Sequence, residues 1–220
     1  MATKPRPVIE FYFSFVSLWS YIGSRRFESL VRDRNVQVIF KPMDLMHVFS
    51  VSGGLPVKQR SVQRQAYRLL EMERWRHIRQ VPLVFHPKFY PADPSLAHRV
   101  FLAAIEELGH DATPVQELAR RGLEAVWSEE KDIADPDTIV SLADASGLEG
   151  KRLLERASTE APLAEQEAAI TKEAIERDVF GAPFYFLNGE PFWGQDRLEM
   201  IDEVIKSKRE SIPVQKVTPS

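Results

Sequence analysis

The stretch Val8–Phe27, VIEFYFSFVSLWSYIGSRRF, decides the fold. Its first part, Val8 to Phe15, is aromatic and β-branched with almost no polar alternation. That pattern predicts a strand buried on both faces. Its second part opens an amphipathic helix running to about Asp33, with Leu18, Tyr21, Ile22, Phe27, Leu30 and Val31 on one face. Between the two lies Ser17-Leu18-Trp19-Ser20. A serine there meets the free N–H groups of a helix start, where the local field is positive. Working outward, Val36 to Lys41 (VQVIFK) reads as a second strand. Strand, helix and strand with short turns form a βαβ unit, so the strands are expected parallel with a right-handed crossover.

Past Pro42 the pattern changes. Asp44 to Ser50 reads as a short helix and Ser52-Gly53-Gly54-Leu55-Pro56 as a loop. Lys58 to Gln80 predicts a long, arginine-dense helix with Tyr67, Leu70 and Trp75 as packing residues. Val81 to Asp93, rich in proline, is an extended loop. Asp93-Pro94, Thr113-Pro114 and Asp135-Pro136 each place a capping side chain before a proline suited to the first helical position. They predict helices over 94–108, 114–127 and 136–146, with Gly109 and Gly147 as stops. Two more follow near 150–157 and 160–178. Strands return at Phe184–Leu187 and Glu190–Trp193, joined by the hairpin signal Asn188-Gly189. Gly194-Gln195-Asp196 leads into a last helix over about 196–208. Met1 to Pro7 and Ser211 to Ser220 read as loose tails. The helical block is too long for a loop. The expected architecture is therefore an α/β, thioredoxin-like domain (about 1–45 plus 177–220) with a large all-helical insertion (46–176).

Composition narrows the function. The chain has 220 residues, 44% hydrophobic and 28% charged, with a net charge of -3. This is an ordinary globular balance, without the basic excess that nucleic acid or an anionic membrane would call for. There is no cysteine, which excludes a disulfide, a thiol nucleophile and a thiolate metal site. His47, His77, His86, His98 and His110 show no metal-type spacing. His47, just before the glycine loop, is the one to watch, although a lone histidine is more often structural. MATKPRPVIE has no apolar signal core and no apolar run reaches membrane-spanning length, so a cytoplasmic protein is expected.

Three separated motifs carry a resemblance across nearly the whole chain. FYFSFVSLWSYIGSRRF, the FGAP segment Phe180–Pro183 and FWGQDRLEMI at Phe192–Ile201 resemble 2-hydroxychromene-2-carboxylate isomerases. These group with kappa-class glutathione transferases in the DsbA-like branch of the thioredoxin superfamily. In disulfide oxidoreductases of that fold, a C-x-x-C motif occupies the slot of Ser17-Leu18-Trp19-Ser20. Serine at both cysteine positions excludes dithiol chemistry.

What the resemblance implies is a glutathione-dependent isomerase acting on an aromatic, electrophilic carboxylate. Ser17 would donate to the glutathione thiolate, which adds to a conjugated carbon, permits rotation about the former double bond and is then eliminated. A serine without a nearby base is a poor nucleophile itself, and the bland reading is a helix cap. Ala182-Pro183 would be a cis-proline loop pairing with the tripeptide backbone, where the plain reading is a trans proline opening a strand. Gln195 and Asp196 would hold the γ-glutamyl end, although Asp196 also reads as a helix cap. Arg64, a turn before Tyr67, stands where relatives often have lysine and would pair with a carboxylate, or else be a solvated helix charge. Gly54 stands where relatives often have asparagine and has no side chain to offer, so the substrate pocket is altered or uses other groups; Leu18, where many relatives have proline, is a milder departure. A homodimer is common among such relatives. The alternatives are a kappa-like transferase, which consumes glutathione, and a non-catalytic thioredoxin-fold binding or chaperone module.

Overall fold

A computed structural model of the chain describes residues 6–215. The opening apolar run forms β1 (Val8–Phe13), two residues shorter than its sequence pattern. The chain leaves the sheet at Ser14, where the Phe15 N–H donates to a buried histidine ring instead of a neighbouring strand. Ser17 then caps α1 (Leu18–Arg34), and Asn35 ends it in the left-handed region. β2 (Gln37–Pro42) lies parallel to β1, with Val8 opposite Gln37. β3 (Phe184–Leu187) pairs antiparallel with β1, and β4 (Glu190–Trp193) antiparallel with β3. The order β2-β1-β3-β4 is the expected thioredoxin-like sheet. Asn188 (φ 52°) and Gly189 (φ 81°) make the hairpin turn, as that dipeptide predicts.

One face of the sheet packs on α1. The Phe11 ring lies 4.9 Å from Phe13, 4.8 Å from Phe27 and 5.0 Å from Tyr185. Each such ring contributes ~1.5–3 kcal/mol by leaving water. The opposite face carries Tyr12, whose hydroxyl donates to Glu173 at 2.8 Å, and Phe186, under the Arg177 guanidinium at 3.8 Å.

The helices of the proposed insertion are α2 (Leu45–Ser52), α3 (Val62–Arg79), α4 (Ser95–Leu108), α5 (Thr113–Trp127), α6 (Pro136–Ala145), α7 (Gly150–Thr159) and α8 (Ala161–Glu176). The last helix is α9 (Leu198–Ser207). α1 packs on α3, α5 and α9, so these helices continue the core of the sheet. No helix among the described residues is long and apolar enough to cross a membrane.

Four expectations need correction. α3 begins at Val62 rather than Lys58, because Pro56 and a short 3-10 turn (Val57–Gln59) precede it and Ser61 caps it. Tyr67 and Leu70 do not pack: they are exposed at 58% and 46%, and Met72 is the buried residue of α3. Of the three capping pairs, Asp135 caps α6 and Asp93 accepts from the Ser95 N–H. Thr113, however, lies inside α5, with no side-chain cap ahead of it. Ser211 and Ile212, read as loose tail, are tied to the β3–β4 hairpin through Asn188 and Glu190. Residues 1–5 and 216–220, read as tail, lie outside the described residues.

Candidate active site

Ser17 stands at the N-terminus of α1 with an extended backbone (φ -78°, ψ 110°). Its Oγ accepts from the Ser20 N–H and donates to the Ala182 carbonyl, both at 3.2 Å. The residue is only 5% exposed. The Ala182-Pro183 peptide is cis. Ser20, at the second position of the motif, has a buried hydroxyl with no partner. The two serines are thus unlike: one bridges helix and proline loop, the other is an orphan pointing into the same end of the fold.

A buried network holds the segment that carries Ser17. His98 is fully buried, with Nε2 3.3 Å from both the Ser14 Oγ and the Phe15 N. Since the Phe15 N–H donates to Nε2, the ring proton sits on Nδ1, 2.8 Å from Glu167 Oε1. The Trp127 indole N–H donates to the Val16 carbonyl at 3.3 Å. The sequence argument watched His47, which is exposed and contributes only its backbone N–H to the Asp44 cap. The signal for His98 was its place in the apolar run of α4, where a polar ring must find partners.

The turn at 194–197 closes the other side. The Gly194 N–H donates to the Pro183 carbonyl at 3.0 Å, joining this turn to the proline loop. Gly194 has φ 105°, a backbone conformation that calls for glycine, and its turn brings it close to the Asp196 carboxylate. Asp196 does not cap a helix with its side chain. It sits in a 3-10 turn (Gln195–Arg197) with its carboxylate 40% exposed, 3.4 Å from Arg197. Gln195 is buried, and its side-chain carbonyl accepts from Arg79 Nε at 2.8 Å. Arg79 also donates to the Gln195 backbone carbonyl and to both oxygens of Glu199, and lies 5.2 Å over the Trp75 ring. Nothing in an arginine-dense helix singles out Arg79 in sequence; its role appears only when α3 and the 194–197 turn meet. Trp193 is exposed, edge-on to Phe180 at 4.7 Å, and its indole nitrogen fills the space a side chain at Gly181 would take.

The structure therefore brings Ser17, Ala182, Pro183 and the Gln195–Asp196 turn together through hydrogen bonds. Arg64 is not joined to them. It is exposed in the first turn of α3, its N–H bonded to Ser61. At Gly54 the phenyl ring of Phe49 occupies the position of the missing side chain, 2.2 Å from where a Cβ would stand.

With this geometry in hand, comparison with known proteins is specific. The family model of the DSBA-like thioredoxin domain matches residues 8–206. A 2-hydroxychromene-2-carboxylate isomerase of Sphingobium xenophagum is 27% identical over 198 residues, covering 90% of this chain and 97% of the relative. Human glutathione S-transferase kappa 1 is 27% identical over 222 residues, covering 94% of each. A solved structure of a 2-hydroxychromene-2-carboxylate isomerase superposes with a TM-score of 0.77 at 26% identity, over 91% of this chain and 95% of that one. The chain belongs to the family of DsbA-like thioredoxin domains, and over nearly its whole length it is similar to 2-hydroxychromene-2-carboxylate isomerases and to a kappa-class glutathione transferase.

Proposed function

We propose that the protein is a glutathione-dependent isomerase of 2-hydroxychromene-2-carboxylate or a similar aromatic, electrophilic carboxylate. The observation that carries this reading is the Ser17 hydroxyl, held at the start of α1 and 3.2 Å from the carbonyl beside the cis-proline. The residues present fit a tripeptide thiol. Among the described residues the Ala182 carbonyl is engaged by Ser17 alone and can accept a backbone N–H instead. The half-exposed Asp196 carboxylate suits an ammonium group, and the first N–H groups of its turn suit a carboxylate.

Bound there, glutathione would supply a thiolate able to add reversibly to a conjugated carbon. Ser17 then has one proton and two claimants for it. Once a ligand N–H satisfies Ala182, the hydroxyl is free to turn to sulfur. The α1 N-terminus adds ~0.3–1 kcal/mol in favour of negative charge. Together these bring a thiol from a free pKa of ~8.5 towards neutrality.

The similarity to the human kappa-class enzyme favours a second reading: conjugation at the same site, with glutathione consumed. Product analysis separates the two. The test common to both is ultraviolet absorbance of bound thiolate across pH, for wild type and Ser17→Ala. Ionisation near neutral pH that Ser17→Ala abolishes supports the enzyme. No binding at millimolar glutathione removes both readings and leaves a non-catalytic module.

A further inference from the structure

Among the described residues, every arginine but three has a carboxylate oxygen within 3.9 Å. The three are Arg60, Arg64 and Arg68. They are spaced four apart, the last two on one face of α3 and Arg60 just ahead of its cap. Arg60 and Arg68 are half-buried. Arg60 donates through Nε to the Leu55 carbonyl. Arg68 has five donor hydrogens, and its only hydrogen bond is from Nη1 to the Met72 thioether at 3.1 Å, a weak acceptor. Burial pushes the pKa of both guanidinium groups down; the Arg64 charge lowers that of Arg60 further and the Arg60 charge that of Arg68, with Tyr90 opposing both. Such a cluster is a poor structural device, because unpaired buried charge is costly and a carboxylate is the usual remedy.

Its position ties it to the segment that carries Ser17. The Arg68 guanidinium lies 5.6 Å over the Trp127 ring, and the Tyr90 ring is 4.6 Å from the same indole. The edge of that indole holds the carbonyl of Val16, the residue before Ser17. One fully buried tryptophan thus connects Ser17's segment to the unpaired arginines.

We propose that Arg60 and Arg68, with the Tyr90 hydroxyl, form a carboxylate clamp beside the Trp127 indole that holds Ser17's segment, selecting planar aromatic carboxylates. A guanidinium takes a carboxylate in two parallel hydrogen bonds, so the clamp orients the substrate as well as attracting it. The proposal deepens the isomerase reading by naming residues for the anionic half of its substrate. It rests on that reading for the substrate's identity but not for binding.

The experiment is calorimetric titration of the full chain, without glutathione, by 2-hydroxycinnamate and by its methyl ester. Wild type is compared with Arg60→Gln, Arg68→Gln and Arg68→Lys. The acid should bind, the ester should bind at least roughly tenfold more weakly, and each glutamine variant should lose roughly tenfold or more for the acid. Arg68→Lys should recover part of the affinity. Thermal melts check folding, and Arg60→Gln, at the more peripheral position, serves if Arg68→Gln does not fold. Equal binding of acid and ester, or wild-type affinity in both glutamine variants, overturns the clamp, as does failure of the acid to bind. A parallel glutathione titration keeps the two ideas apart. If the acid binds through the arginines and glutathione does not bind, the clamp stands and the glutathione reading falls.

Discussion

Arg156 and Arg68 belong to helices of the same proposed insertion and are treated in opposite ways. Arg156, on α7, donates to Glu106 at 2.8 Å, to Glu107 at 2.9 Å and to Glu160 at 2.9 Å. Arg152, one turn earlier, grips Glu107 and Glu149. These pairs staple α7 to α4, where Leu153 and Ala157 are buried and Arg99 donates to the Ala157 carbonyl. Arg68, on α3, has a thioether and an indole for company. Its helix leaves Val62, Tyr67, Leu70 and Ile78 exposed. The lesson is that residue type says little about a charge's task; what matters is whether the fold has already answered it. The α4–α7 seam is scaffold with its charges satisfied. The arginines at the start of α3 have no carboxylate partner among the described residues.

The difference can be broken in several ways, starting with the largest effect. Ser17→Ala should reduce turnover by ~10² or more, the usual loss for a donor aimed at developing negative charge. It should cost only ~1 kcal/mol of stability as a lost cap. A steady-state assay and a denaturant titration read the two separately, and equal loss in both would make Ser17 a cap alone. Arg156→Gln should destabilise by ~1–3 kcal/mol, since Glu106 and Glu160 lose their partner and Glu107 is left with Arg152 alone. Arg68→Gln should leave the denaturation midpoint unchanged or raise it, because removing an unpaired half-buried charge is neutral or favourable. A midpoint that drops as far for Arg68→Gln as for Arg156→Gln would erase the contrast.

Gly54→Asn should cost ~1–3 kcal/mol because its Cβ collides with the Phe49 ring. Adding Phe49→Ala should relieve most of that collision, which a double-mutant cycle detects. The smallest effect concerns Asp202. Arg34 at 2.6 Å and Lys206 at 2.7 Å hold its carboxyl down at about 2, against burial that acts the other way. A depressed folded-state pKa contributes stability that is complete above the unfolded value near 4 and is lost as pH falls towards 2. Solvent screening holds that contribution to ~1 kcal/mol or less. Melts at pH 7 and pH 2.5 should therefore differ less for Asp202→Asn than for wild type.

Much of this was readable in advance where the signal is local. The β1-α1-β2 unit, the Asn188-Gly189 hairpin and the Asp135 cap depend on residues within a few positions of one another. The strand ended early because His98, far along the chain, takes the Phe15 N–H. Tyr67 and Leu70 misled because α3 has helical periodicity but almost nothing packed on that face. In the site, Ser17, Pro183 and Asp196 stood out by motif. Arg79, His98 and Trp127 did not, because each acts through a partner more than a hundred residues away or on another element.

By itself, the sequence determined the element order, the family resemblance and the absence of a protein thiol, since these follow from residue identity and short-range spacing. Only the tertiary structure decided that Ser17's hydroxyl spends its proton on Ala182, that Phe49 fills the place of a side chain at Gly54 and that three arginines go without a carboxylate. Those facts depend on which groups meet across long stretches of chain. The free energy of a polar group is set by the partners it meets, and the sequence does not say where they will be.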